Sequence, residues 1–272
     1  LLLTRVLTAV VLLAAFLTAN FALGRPQFAA VVSLVVALAA YEWGRLCRFT
    51  NSVALMYAVV LGAALCALAF ALLPVAASTP TVVGIFAVAG VFWVLGVPLW
   101  LWCGVGGRVS GALPFAGVVV LVPAGLASIS MRPWTLLGVL VLVWVADTAA
   151  YFTGRAFGRR KLAPSISPGK TWVGVGGAML ATLAYAIICA ISIPTLAERV
   201  TGITWVPFIA GAGLLCFVSV VGDLFESALK RQAEVKDSGT LLPGHGGILD
   251  RIDSATATLP VGALLLHWLI AR

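Results

Sequence analysis

The chain has 272 residues, 62% of them hydrophobic and 10% charged, with a net charge of +8 and a mean hydropathy of +1.14. Continuous apolar runs of about 18 residues or more recur along it, enough to cross a bilayer and unlike the alternation of a transmembrane β-barrel. No basic, aromatic-bearing soluble segment accompanies the positive charge, which argues against a nucleic-acid partner.

The pattern predicts an all-α, polytopic integral membrane protein. Its nine spans fall at about residues 5–23, 26–47, 53–74, 80–103, 112–130, 133–154, 171–194, 206–229 and 255–271. Residues 1–130 form an amino-terminal region of five helices. Residues 131–272 form a carboxy-terminal region of four, with polar loops at 155–171 and 230–254. Arg5 before an apolar stretch mimics a signal peptide, but without a convincing cleavage site the first helix is read as retained. Nine spans place 13 of the 17 Lys and Arg on one side, including Arg45, Arg48, Arg108 and both polar loops. Arg25, Arg132, Arg199 and Arg272 lie on the other, so the polar loops are expected in the cytoplasm. The five cysteines (Cys47, Cys66, Cys103, Cys189, Cys216) are scattered singly without a CxxC pair, and are read as small membrane-embedded residues.

In the first five spans the one acidic residue is Glu42, near the end of the second. It is expected to pair with a neighbouring arginine and to be structural. Pro74, Pro80 and Pro98 mark helix ends or kinks. No internal repeat of the transporter kind is visible.

Polar features gather from residue 133 onward. In the sixth span Asp147, Tyr151 and Arg155 recur at i, i+4 and i+8, one stripe on one face. The stripe leads into a basic loop holding Ser165, Ser167 and the turn Ser167-Pro168-Gly169-Lys170-Thr171. Its Gly-Lys-Thr run superficially resembles a P-loop, but the upstream glycine spacing is wrong and no strand is expected before it. The turn is read as presenting Lys170 at the membrane surface.

Six of the nine carboxylates lie between Gly222 and Asp253. Ionisable residues at membrane depth are costly and point to a functional site. At the end of the eighth span Asp223, Glu226, Ser227 and Lys230 fall on one face. Two carboxylates one turn apart suit a divalent cation that also takes phosphate oxygens. The competing reading is a salt-bridged helix end, with Glu226 and Lys230 as an i, i+4 pair. The following Gly244-His245-Gly246-Gly247 turn lets backbone amides approach an anion. Asp250 and Asp253 lie where the ninth span begins, with Asp253 or Ser254 expected as its cap.

These residues resemble a known family. Ser227-Ala228-Leu229-Lys230-Arg231, Lys236-Asp237 and the run from Leu242 through Asp250-Arg251-Ile252-Asp253 look like the signature of CDP-diacylglycerol synthases (phosphatidate cytidylyltransferases). Trp144-Val145-Ala146-Asp147, Ser167-Pro168-Gly169-Lys170-Thr171-Trp172 and Gly222-Asp223-Leu224 extend the similarity. The amino-terminal half resembles the family mainly in hydropathy and length.

The resemblance implies transfer of the cytidylyl group of CTP to phosphatidic acid, with magnesium, by a homodimer in a bacterial inner membrane among its lipids. The family's metal-binding aspartates correspond to Asp223 and Asp250. Asp253 or Asp147 would be a further or outer ligand. Lys170, Lys230, Arg231, Lys236 and Arg251 would neutralise phosphates. His245 and the Gly246 and Gly247 amides would hold a phosphate or the nucleotide, and Ser167 and Ser227 are further substrate contacts. The rival enzyme reading is a CTP-dependent polyprenol or phytol kinase. A transporter for an anionic solute would instead place its charges near the midplane in both halves.

Overall fold

The computed structural model describes residues 2–72, 79–104 and 111–270. Pro74, Arg108 and Arg272 lie outside the described residues. Eleven α-helices and one short hairpin follow in the order α1 (Leu2–Ala22), α2 (Arg25–Leu46), α3 (Asn51–Leu72), α4 (Pro80–Val91), α5 (Val97–Cys103), α6 (Leu113–Ser130), α7 (Pro133–Phe157), β1 (Lys161–Ala163), β2 (Ser167–Thr171), α8 (Trp172–Ser192), α9 (Pro194–Ala197), α10 (Trp205–Gln232) and α11 (Leu249–Ile270). A π turn at Phe92–Gly96 joins α4 to α5 in one continuous rod. Among the described residues seven helical units are long and apolar enough to cross a membrane: α2, α3, α4–α5, α6, α7, α8 and α10. The apolar part of α1, Val6–Ala22, is shorter. A helix stands at the place of each expected span.

Proline opens α2, α4, α6 and α7, where its missing N–H costs no helical bond. Small residues let the helices approach closely. A Cβ on Gly62 of α3 would meet the Ala37 Cβ of α2 at 2.8 Å, so the α2–α3 contact depends on a residue without a side chain. The helix α11 packs against α4, α6, α7 and α10, and its stretch from Ser254 to Ala263 is buried.

Side-chain contacts define two ends of the bundle. At one end Arg48, after α2, bonds to the carbonyl of Gln232, the last residue of α10, at 3.1 Å and pairs with Glu234 just beyond it. At the other, Asn20 bonds to the Pro133 carbonyl, Arg25 to that of Ser130, and Arg199 to that of Leu269. The basic loops thus share an end, as the charge count anticipated.

Two sequence expectations need correction. A strand does form over Ser167–Thr171, pairing antiparallel with β1 (Lys161 opposite Thr171, Ala163 opposite Ser167). A P-loop fold stays excluded, because this is a two-stranded hairpin between helices. The last helix starts at Leu249 rather than near residue 255. Asp253 and Ser254 therefore lie inside it instead of capping it, and the first-turn amides find their acceptor on another helix.

Candidate active site

The charged end of the bundle is assembled from five elements: α2, α7, β2, α10 and α11. The helix α10 contributes most. Its Phe225 is buried among Trp43, Phe92, Trp93 and Trp100, with ring centroids 5.5–6.2 Å away. That aromatic packing fixes the rotation of α10 against α2 and the α4–α5 rod. The residues flanking it, Asp223, Glu226, Ser227 and Lys230, are thereby turned toward β2 and α11.

Two lysines each hold an aspartate. Lys170 Nζ lies 2.6 Å from Asp223 Oδ2, and the Ser227 hydroxyl donates to Asp223 Oδ1 at 3.4 Å. Lys230 Nζ donates to Asp250 Oδ1 at 2.6 Å and stands 3.4 Å from Glu226 Oε2. The second pair is the more enclosed, with the Lys230 and Asp250 side chains 14% and 5% exposed. Asp147 on α7 lies close enough to Asp223, Asp253 and Lys170 to interact electrostatically with all three. Of the Asp147, Tyr151 and Arg155 stripe, Asp147 is the member with interactions in the cluster, while Tyr151 and Arg155 are exposed. At its outer end Arg155 donates to the Tyr151 hydroxyl at 2.8 Å.

Asp250 precedes the buried part of α11 and is surrounded by donors. Its Oδ2 accepts from Gly247 N at 2.8 Å, Ser238 N at 2.9 Å and Ser238 Oγ at 3.0 Å. Burial alone would raise its pKa. The Lys230 ammonium and the Gly247 and Ser238 amides outweigh that, and hold the carboxyl below the usual carboxylate range. The Gly247 N–H, expected to face an anion, faces this aspartate.

The other signature residues are spread around this core. Arg231 Nε donates to the Ile166 carbonyl at 3.2 Å, so it pins the tip of the hairpin. His245 and Ser167 are half-buried beside the cluster's loops, while Lys236 and Arg251 are exposed. Gly246 has φ +81°, a left-handed turn in which a Cβ would meet Asp250 Oδ2 at 2.7 Å.

Sequence reasoning missed two members. Glu42 does not pair with an arginine; Arg45 bonds instead to the Phe49 carbonyl at 2.6 Å. Glu42 reaches across to the loop before α11 and accepts from Ser238 Oγ, Ile248 N and Leu249 N at 2.9, 3.0 and 2.8 Å. The available signal was that it is the lone acid in the first 130 residues. Ser238 carried no signal, being a serine in a polar loop. Space here is tight. A Cβ on Gly247 would collide with Ser238 Oγ and Glu42 Oε2. Gly247→Ala is therefore expected to cost about 1–3 kcal/mol by overpacking, read as a lower thermal midpoint in detergent.

The donor set fits a magnesium ion that keeps substrate oxygens in its shell. Both Glu226 oxygens are buried and make no hydrogen bond, Oε2 having the Lys230 ammonium at 3.4 Å, and the residue lies one turn from Asp223 and near Asp253. Among the described residues no group of three or more His, Cys, Asp or Glu is placed to hold a metal ion, so an ion here would rest on one or two carboxylates. Magnesium binds through one or two carboxylates plus phosphates and water rather than an all-protein cage.

Residues 3–269 match the Cytidylyltransferase family. The chain belongs to that family. A phosphatidate cytidylyltransferase of Pseudomonas aeruginosa is 39% identical over 276 residues, covering 96% of each chain. The enzyme of that name from Haemophilus influenzae is 52% identical over 128 residues, 46% of this chain and 43% of that one. The one from Bacillus subtilis is 43% identical over 134 residues, 48% and 45% of the two chains. For a cytidylyltransferase the paired lysines and aspartates have an evident use, since its substrates are polyanions.

Proposed function

We propose that this cytidylyltransferase transfers the cytidylyl group of CTP to phosphatidic acid, giving CDP-diacylglycerol and pyrophosphate. The observation that carries the reading is the meeting of two anchored lysines with a carboxylate cluster at one end of a membrane bundle, in a chain similar to phosphatidate cytidylyltransferases. The lipid phosphate is a monoester that is largely dianionic near neutral pH, so it needs little help from a base. Its oxygen forms a bond to the α-phosphorus of CTP while the bond from that phosphorus to the bridging oxygen breaks, and pyrophosphate leaves with the electron pair. The difficulty is bringing anions together, so catalysis is mostly positioning and charge neutralisation.

Lys170 and Lys230 serve that purpose here. Each ammonium is held on an aspartate in a part-buried site, where its attraction for phosphate is less screened than in water. One or two of Asp223, Asp250 and Asp253 would hold magnesium, with substrate oxygens completing its shell, and the ion would neutralise CTP phosphate oxygens. Arg231, Lys236 and Arg251 would meet the nucleotide or the leaving pyrophosphate. The acyl chains stay among the bilayer lipids. The basic loops at the cluster's end support, by the positive-inside rule, a site that faces the cytoplasm. The resemblance further implies a homodimer in a bacterial inner membrane.

The test is product analysis with purified protein in detergent, magnesium, phosphatidic acid and CTP. Label on the α-phosphorus is expected in the lipid product, with pyrophosphate released. Transfer of γ-label with release of CDP would establish the CTP-dependent kinase instead. Absence of any CTP turnover, with flux of an anionic solute in vesicles, would establish a transporter.

A further inference from the structure

We propose that Glu42 is a positioning residue for the transfer reaction, clamping residues 238–249 so that Asp250 faces Lys230. The inference rests on the reading above, in which Asp250 belongs to the active site. Glu42 is 2% exposed, and no basic side chain among the described residues forms an ion pair with it. A buried carboxylate without a cation is costly unless hydrogen bonds replace its water. Here three donors come from one segment: the Ser238 hydroxyl and the Ile248 and Leu249 amides. The two amides are at the amino-terminal end of α11, where unpaired N–H groups and the helix dipole favour a negative charge. A helix from the amino-terminal region thus supplies the cap that α11 lacks in its own sequence.

The clamp reaches Asp250 through Ser238. The Ser238 hydroxyl, 7% exposed with its residue, lies 2.9 Å from Glu42 Oε2 and 3.0 Å from Asp250 Oδ2. One hydroxyl has one proton, so it serves the two carboxylates alternately. The same residue's N–H donates to Asp250 Oδ2, so fixing Ser238 fixes that oxygen. The loop is shaped around Glu42: a Cβ on Gly239 would meet its Oε1 at 2.5 Å, and one on Gly247 would strike its Oε2. A plain packing residue would need neither three aligned donors nor two glycines. Groups that orient a ligating or catalytic side chain typically cost about 10–100-fold in activity or metal affinity when removed.

The test compares Glu42→Gln, Ser238→Ala and Asp250→Asn in detergent. Glutamine is isosteric, but turns an N–H₂ toward one of the three donors. Glu42→Gln is expected to lower kcat by about 10–100-fold while the KM values for CTP and phosphatidic acid stay close to wild type. Amide exchange at Ile248 and Leu249, measured without metal or substrate, should accelerate while the interiors of α10 and α11 keep their protection. Wild-type exchange, or a kcat loss that only tracks loss of folded protein, overturns the clamp. Should Glu42→Gln not fold, Ser238→Ala decides: it removes the bridge and leaves the α11 amides on Glu42. A reduced kcat with unchanged exchange supports the bridge, and a wild-type kcat sinks it. Asp250→Asn separates the two ideas. If it keeps full activity the site reading fails, whatever the exchange at Ile248 shows.

Discussion

Asp250→Asn and Asp223→Asn are each expected to slow pyrophosphate release from CTP and phosphatidic acid by about 10²–10³-fold, the scale seen when one preorganised charge partner of a transition state is removed. The two should differ in stability, and that difference separates chemistry from folding. Asp250 is almost fully enclosed, and its oxygens accept from Lys230, Ser238 and Gly247. An asparagine there can keep its carbonyl toward the two amides only by turning its N–H₂ toward the Lys230 ammonium. That strands a part-buried cation, a loss of about 3 kcal/mol at the lower end for buried pairs, because Glu226 stays near Lys230. Asp223 is a third exposed and has water available, so its asparagine variant should unfold close to the wild-type temperature yet be inactive. The paired measurement is rate per folded protein and thermal midpoint in detergent, with the magnesium dependence of each. Near-wild-type rates in both variants, with unchanged magnesium dependence, would remove both aspartates from the reaction.

What could be read from the sequence was whatever is local or periodic. The spans follow from apolar runs, and the Asp147 face and the Asp223-to-Lys230 face follow from helical spacing. The structure brings both faces to one end of the bundle. The expected start of α11 was too late because its first residues include three charged ones, Asp250, Arg251 and Asp253, and a hydropathy window begins only where the apolar run does. Its cap could not be found by looking a few residues upstream, since the acceptor is Glu42, more than 200 positions away. A short-range pairing rule sent Glu42 to Arg45, whereas burial on the inner face of α2 points it at another helix. The hairpin was missed because Pro168 and Gly169 read as a turn. Two strands pair there because Arg231 and α8 hold the segment from outside. Long-range hydrogen bonds made by single polar residues leave no periodic trace.

Lys170 is the second residue whose loss should be large. It precedes Thr171, the last residue of β2, whose buried hydroxyl accepts from Gly174 N at 3.1 Å and caps α8. At the opposite end of the hairpin Arg231 holds the Ile166 carbonyl. With both ends fixed, the ammonium has little freedom and lies 2.6 Å from Asp223. Lys170→Ala removes a placed charge at the cluster and leaves Asp223 without its counter-ion, so repulsion between the carboxylates and incoming phosphates rises. The expected loss in kcat/KM is about 10²–10³-fold. Lys170→Arg keeps the charge but offers a planar fork in place of a compact ammonium, and about a tenfold loss is expected because the two groups differ in shape and hydration. The ranking is the test. Alanine far below arginine, in both CTP and phosphatidic acid titrations, means that charge is the contribution. Equal losses would mean that Lys170 acts by shape, as a spacer seating the hairpin on α10, and neutralisation of the substrate phosphates would then fall to Lys230 and the arginines around it.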